Sequence, residues 1–192
     1  MALLVGNASV VSAQTLSVGP VVGGNVSTVS EALNTKYLVG PAFGAFANYS
    51  VDDHFGLGLK VLYTQVGTAY ENTVAERRLH YIQVPVTAVY YFGAIGNAFR
   101  PKIYLGAYAA PLIQATDENG DVLLGADGKS TYASFDFGGV GGIGFNYRIQ
   151  SRTWLNVEAG VTRGIADVTK NDLAYQNSVF TLQVGLSFPV GK

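Results

Sequence analysis

The chain contains no cysteine, which removes disulfides, thiolate metal sites and cysteine nucleophiles from consideration. Charge is scarce, at 13% of 192 residues, where about a quarter is usual in soluble domains. Twelve basic and 13 acidic residues leave a net charge of −1, so bulk electrostatics favour neither nucleic acid nor an acidic partner. Only two histidines, His54 and His80, are present. No apolar run reaches the roughly 18 residues that a membrane-spanning helix needs, and little of the chain keeps a helical period. What the chain has in plenty is glycine, at 24 residues, together with 12 tyrosines and 10 phenylalanines.

The strongest positive signal is a twofold rhythm. In FGLGLKVLYTQ, residues 55–65, Phe55, Leu57, Leu59, Val61 and Tyr63 take every second place, and Gly56, Gly58, Lys60, Leu62 and Thr64 lie between them. A pleated strand sends alternate side chains to opposite faces, so this segment has one apolar face and one mixed face. The same rhythm predicts strands over residues 15–27, 36–49, 55–65, 79–92, 102–114, 135–147, 153–165 and 179–190. Their apolar faces include Leu16, Val18, Val22 and Val26 in the first, Val84, Val86 and Ala88 in the fourth, and Leu182, Val184 and Leu186 in the eighth. Eight such strands predict an all-β fold, an antiparallel up-and-down barrel whose apolar face meets lipid. The segments use less than the whole chain, so one domain spans residues 14–192.

Connections and aromatic residues test that reading independently. Short links are predicted at 50–54 and 148–152, a slightly longer one at 93–99, and long polar loops at 67–77 and 117–134. Short turns on one side and longer loops on the other fit an outer-membrane barrel with periplasmic turns. Outward Tyr49, Phe55, Tyr90, Phe92, Phe145, Tyr147 and Phe188 fall at the short-turn ends, and Tyr37, Tyr63, Phe135, Phe137 and Phe180 at the long-loop ends. Two aromatic girdles around an aliphatic band suit a bilayer, because amphipathic rings prefer the headgroup zone. Pro20, Pro41, Pro85 and Pro111 fall inside predicted strands, where each removes a ladder donor and calls for a bulge. Residues 1–13, ending Val11-Ser12-Ala13 before Gln14, read as the tail of a secretory signal or as a disordered end; the basic segment that opens such signals is missing.

The blocks GPAFGAF, KVLYTQVG, YIQVPVTAVYYF, YLGAYAAPL, FDFGGVGGIGF and VFTLQVGLSF resemble the porin-like outer-membrane β-barrel family of Gram-negative bacteria, whose small members are similar to the OmpA and OmpX type of eight-stranded barrel. The resemblance covers nearly all of the chain after Gln14. Pro85 matches the family's mid-strand proline, whereas Gln83 stands where that block usually carries an acidic residue. The resemblance implies a fold and a cellular location, but no common ligand or reaction. Near the C-terminus Gln183, Gly185, Phe188 and Val190 resemble the signal read by the barrel assembly machinery. Many family members finish on an aromatic residue, but Gly191 and Lys192 follow here.

Candidate chemistry is sparse. Gly139, Gly141 and Gly144 match a dinucleotide-binding spacing, but no strand-then-helix context surrounds them. DENGD, residues 117–121, hints at a calcium loop, yet Val122 and Gly128 occupy the places that need glycine and glutamate. Asn119-Gly120 and Asp127-Gly128 read better as tight turns. Ser130, Ser134 and Ser178 could in principle serve a hydrolase, but no motif sets one beside His80. The expectation is no enzyme, no cofactor and no metal site. Lumenal parity instead collects Lys60, Gln83, Tyr104, Tyr108, Asp136, Asn146, Asn156 and Glu158. Lys60 and Glu158 fall at comparable depth on opposite walls, so they are expected to pair directly or through Gln83 or water, since a lone buried charge is costly. Lys60, Gln83, Asp136 and Glu158 are thus the predicted lumenal polar network. Glu76, Arg77 and Arg78 are read as a loop edge able to meet lipopolysaccharide phosphates. The expected role is structural or surface-interacting, through the long loops of a monomer whose partners are outer-membrane lipid and lipopolysaccharide. A small transport channel and a soluble lipocalin-like ligand barrel are the rival readings.

Overall fold

Alternation of apolar and small or polar residues becomes eight strands in the computed structural model, which describes residues 15–29, 35–70, 76–124, 132–165 and 177–190. They are β1 (Thr15–Val29), β2 (Thr35–Ser50), β3 (Phe55–Tyr70), β4 (Glu76–Tyr91), β5 (Phe99–Thr116), β6 (Phe135–Gln150), β7 (Thr153–Gly164) and β8 (Asn177–Val190). Each strand pairs antiparallel with its sequence neighbour, and β1 pairs with β8 to close the barrel. Closure leaves no sheet edge, the condition for a sheet to lie in hydrocarbon. The glycine-rich stretch of β6 continues as strand rather than turning into a helix. The signal-like residues 1–13 lie outside the described residues.

The outer wall is apolar through its middle, with polar residues such as His80 and Arg163 only toward the long-loop end. Val22, Val39, Leu57, Leu59, Val61, Leu105, Ile143, Val161 and Leu182 are all exposed there. A soluble ligand barrel would carry charge on this face, so the lipocalin-like reading does not describe the chain. Rings gather at both ends of the wall. At the short-turn end Tyr90 lies 5.1 Å from Phe55 and 5.1 Å from Phe92, and Phe99 lies 5.2 Å from Phe145. At the other end Phe43 lies 4.9 Å from Tyr63, and Phe135 lies 6.5 Å from Phe137.

Two predicted loops prove shorter than the sequence suggests. β3 and β4 continue past Gln65 and before Leu79, with Gly67 opposite Arg78, Thr68 opposite Arg77 and Ala69 opposite Glu76. Only residues 71–75 separate these strands, and only residues 30–34 separate β1 from β2. Glu76, Arg77 and Arg78 therefore belong to β4, not to a loop edge. The reason is that backbone pairing needs no greasy side chain. The ladder runs on through Thr and Tyr beyond the apolar belt, where the twofold hydrophobic signal fades. The longest link, between β5 and β6, begins with a β-turn in which the Gly120 N–H donates to the Asp117 carbonyl at 3.2 Å and Gly120 takes a φ of +89°. The Asp127-Gly128 turn lies outside the described residues.

The prolines sit where a ladder breaks. Pairing of β1 with β8 passes from Val18 opposite Phe188 to Val21 opposite Gly185, skipping Pro20. β2 shifts register against β3 between Tyr37 and Ala42, around Pro41. The β3–β4 pairing skips from Val86 to Gln83 on β4, around Pro85. Close to Pro111, an extra residue of β5 falls between Leu112, opposite Tyr81, and Gln114, opposite His80. A missing N–H costs little where no partner carbonyl awaits it.

Candidate functional site

Inward parity on β3 and β7 brings Lys60 and Glu158 together across the lumen. The Lys60 ammonium donates to Glu158 Oε2 and, at 2.6 Å, to Gln183 Oε1. A second lysine joins them: Lys102 of β5 donates to Glu158 Oε1 at 2.6 Å. Side-chain exposure is 15% for Lys60, 12% for Glu158 and 1% for Lys102, so one carboxylate is buried between two ammonium groups. Charges this deep must be paired and hydrogen-bonded to be tolerated, and both carboxylate oxygens are used. Tyr104 adds its ring face, 5.8 Å from Lys60 Nζ.

The pairing is direct, not through Gln83, which lines the cavity of about 30 Å³ beside this cluster, and the amide that bonds Lys60 is Gln183. Lys102 was readable by parity, since Ile103 faces outward on the same strand. What the sequence does not carry is the stagger that lifts β5 and β8 to the height of Lys60. Asp136 stands apart from this cluster. It lies toward the long-loop end, where its Oδ2 accepts from the Tyr108 hydroxyl at 3.0 Å and from Asn177 Nδ2 at 2.9 Å. Asp136 and Tyr81 line another cavity, of about 20 Å³, space for one water molecule.

Above Asp136 the lumen turns apolar. Val66, Leu79, Tyr81, Tyr108, Ala110, Ala115, Tyr132 and Val179 form one buried cluster. Tyr132 belongs to the β5–β6 link, and its hydroxyl accepts from Arg77 Nη1 at 2.8 Å. A second apolar group, Val21, Phe46 and Leu62, occupies the wall of β1, β2 and β3. The lumen is thus not filled by glycine, amide and ion alone. Phe46 fits because Gly185 faces it: a β-carbon on Gly185 would stand 2.8 Å from the Phe46 ring. Asn25 ties these layers together. Its amide donates to Thr64 and its carbonyl accepts from Thr181 at 2.8 Å.

His80, on the outer wall, is held between neighbours. Its Nδ1 lies 2.6 Å from the Tyr63 hydroxyl and its Nε2 lies 3.0 Å from Thr116 Oγ1. Neither contact supplies a nucleophile-and-acid pair. His54 sits in the β2–β3 turn, stacked 5.9 Å from Tyr90. Of the proposed assembly residues, Gln183 points into the lumen and is buried, while Phe188 and Val190 are exposed on the outer wall. Among the described residues no cluster of three or more His, Cys, Asp or Glu could hold a metal ion.

Comparison with known proteins gives a consistent picture. The family model described as outer membrane protein beta-barrel domain matches residues 12–170. Among solved structures, the outer membrane protein OprG from Pseudomonas aeruginosa is 16% identical, with a TM-score of 0.54, covering 94% of this chain and 98% of that one. Neisserial surface protein A is 16% identical with a TM-score of 0.58, covering 90% and 96%. Ail, the attachment invasion locus protein of Yersinia pestis, in complex with the heparin analogue sucrose octasulfate, is 15% identical with a TM-score of 0.50, covering 90% and 99%. At such identities the likeness is one of fold. No curated protein matches the sequence.

Proposed function

We propose, from the premise that the chain belongs to the outer membrane protein β-barrel domain family and lies in the outer membrane, that it is a closed scaffold which presents its outer rim to other molecules. The observation that carries this reading is the double closure of the lumen. The Lys60–Glu158–Lys102–Gln183 cluster crosses it at mid-height, and the apolar cluster around Tyr81 and Tyr132 fills it toward the long-loop end. Eight strands leave an interior that side chains can fill, not an aqueous channel. A rigid barrel holding loops at one rim is a common basis for surface recognition, and the likeness in fold to a protein named for attachment agrees with that role.

The rim also offers contacts to lipid. Arg78 pairs with Glu76 at 2.6 Å, with both side chains partly exposed. Arginine grips phosphate oxygens in the same forked way, so this edge suits lipopolysaccharide phosphates. Gln183, Gly185, Phe188 and Val190 serve as the signal for the barrel assembly machinery, and full strand closure favours a monomer. No catalytic role is assigned.

A small channel is the second reading, favoured by one observation: Gln83 and Thr162 each line both the 30 Å³ and the 20 Å³ cavity, which are therefore stacked along the lumen. Recording from the purified protein in planar lipid bilayers separates the two. The scaffold reading expects a flat current trace, and stable unitary conductance steps would establish the channel instead.

A further inference from the structure

The short-turn end of the lumen, periplasmic by the turn-length rule, holds a buried cation with no carboxylate in salt-bridge contact among the described residues. Arg100 is 7% exposed. Its guanidinium carbon lies 4.2 Å from the Tyr91 ring centroid. Nε donates to the Gly93 carbonyl at 3.2 Å and Nη2 to the Asp53 carbonyl at 2.7 Å. Both acceptors are backbone oxygens, and Asp53 offers its carbonyl, not its carboxylate. These contacts fix the group in place, and the Asp53 carboxylate acts on its charge only from beyond contact distance. A guanidinium has five N–H donors, so three remain, including both on Nη1.

Arg100 lines a cavity of about 80 Å³, which several waters or a few-atom anion would fill. Its other walls include Asn48, Ser50, Asn146 and Trp154. Ser50, Asn48 and the Trp154 indole have no hydrogen-bond partner for their side-chain donors among the described residues, so the wall offers N–H and O–H groups beside one unpartnered acceptor, Asn146 Oδ1. By contrast the Lys60–Glu158–Lys102 cluster higher up holds two cations against one carboxylate, so no spare negative charge reaches down from above. Burial of a cation without a contacting counter-charge is costly, and an anion seated on it would recover part of that cost.

We propose that this vestibule is a binding site for a small periplasmic anion, a carboxylate or phosphate group. Its oxygens sit on the free guanidinium edge of Arg100 and take further hydrogen bonds from the indole and hydroxyl donors. A guanidinium stacked on an aromatic ring keeps its edge open for two-oxygen recognition, which is why Arg suits carboxylate and phosphate better than Lys does.

Trp154 is the chain's only tryptophan, so its fluorescence reports on this cavity alone. The test titrates the refolded protein in detergent with sodium acetate and, separately, with sodium phosphate, each exchanged against sodium chloride at constant ionic strength. A saturable change in Trp154 emission is expected with at least one of the two. The anion that saturates at lower concentration identifies the group recognised. Arg100→Gln should weaken that response at least about tenfold, the scale of one lost charge-assisted contact. Arg100→Lys keeps the charge but loses the fork, and should fall between the two. Heat-modifiable gel mobility establishes that each variant is folded. If Arg100→Gln does not refold, Ser50→Ala takes its place and should weaken the response by a smaller factor. A linear or absent response to both anions in the parent protein overturns the proposal, as does an undiminished response in folded Arg100→Gln.

Discussion

Glu158 is the residue on which the middle of the lumen turns, because its two oxygens separately hold Lys102 and Lys60. Glu158→Gln would leave two ammonium groups buried without a counter-charge. Removing one partner of a buried ionic group costs roughly 3–5 kcal/mol. Lys102→Met would leave a balanced Lys60–Glu158 pair and no buried charge without a partner, so it should cost less. Urea unfolding in lipid vesicles should therefore rank Glu158→Gln far below Lys102→Met in stability. Equal losses would show that the ions act independently. How much of this cluster is legible in the sequence follows from the same residues. Alternation fixes the side of the wall, and distance from the turns fixes the depth, which is enough for Lys60 and Glu158. Stagger between strands is set by the closed ladder and is not written locally, so Gln183 and Lys102 emerge only in three dimensions. Asp136 shares the parity but not the depth, and pairs elsewhere.

At the scale of the element, the tightly held β2–β3 turn carries a pH dependence. Asp52 accepts hydrogen bonds from the backbone N–H groups of Phe55 and His54, each at 2.7 Å. These donors, Phe55 foremost, hold its carboxyl below the ordinary value of 3.8, because they favour the charged form. A folded-state value below the unfolded one adds stability above the unfolded value, and that stability drains away as pH falls through the folded value. Asp52→Asn keeps an acceptor oxygen but cannot titrate. The parent's urea midpoint should fall more steeply than that of Asp52→Asn as pH drops below about 4; parallel curves would remove the turn from the acid sensitivity. The strands show where local reading stops. Their lipid-spanning stretches follow from alternation alone. Their outer ends, such as Thr68 to Tyr70 and Glu76 to Arg78, lie beyond the greasy belt and are strand only because the neighbouring strand continues.

For the whole molecule, the decisive property is the direction in which the barrel is greasy. Valine, leucine and isoleucine cover the outside between two bands of rings, while ions, amides and a smaller apolar plug share the inside. That arrangement is legible in the sequence, because a period of two needs no knowledge of partners. The Arg100 vestibule is not, since it depends on two turns meeting across the end of the barrel. Leu59 lies on the outer wall midway along the apolar stretch of β3 and is 46% exposed. The most direct measurement is the folding free energy of Leu59→Arg relative to the parent, taken from reversible unfolding in phospholipid vesicles. A lipid-facing site near the bilayer middle predicts a loss of about 2–4 kcal/mol. A difference near zero would mean that this wall faces water, and would contradict the account.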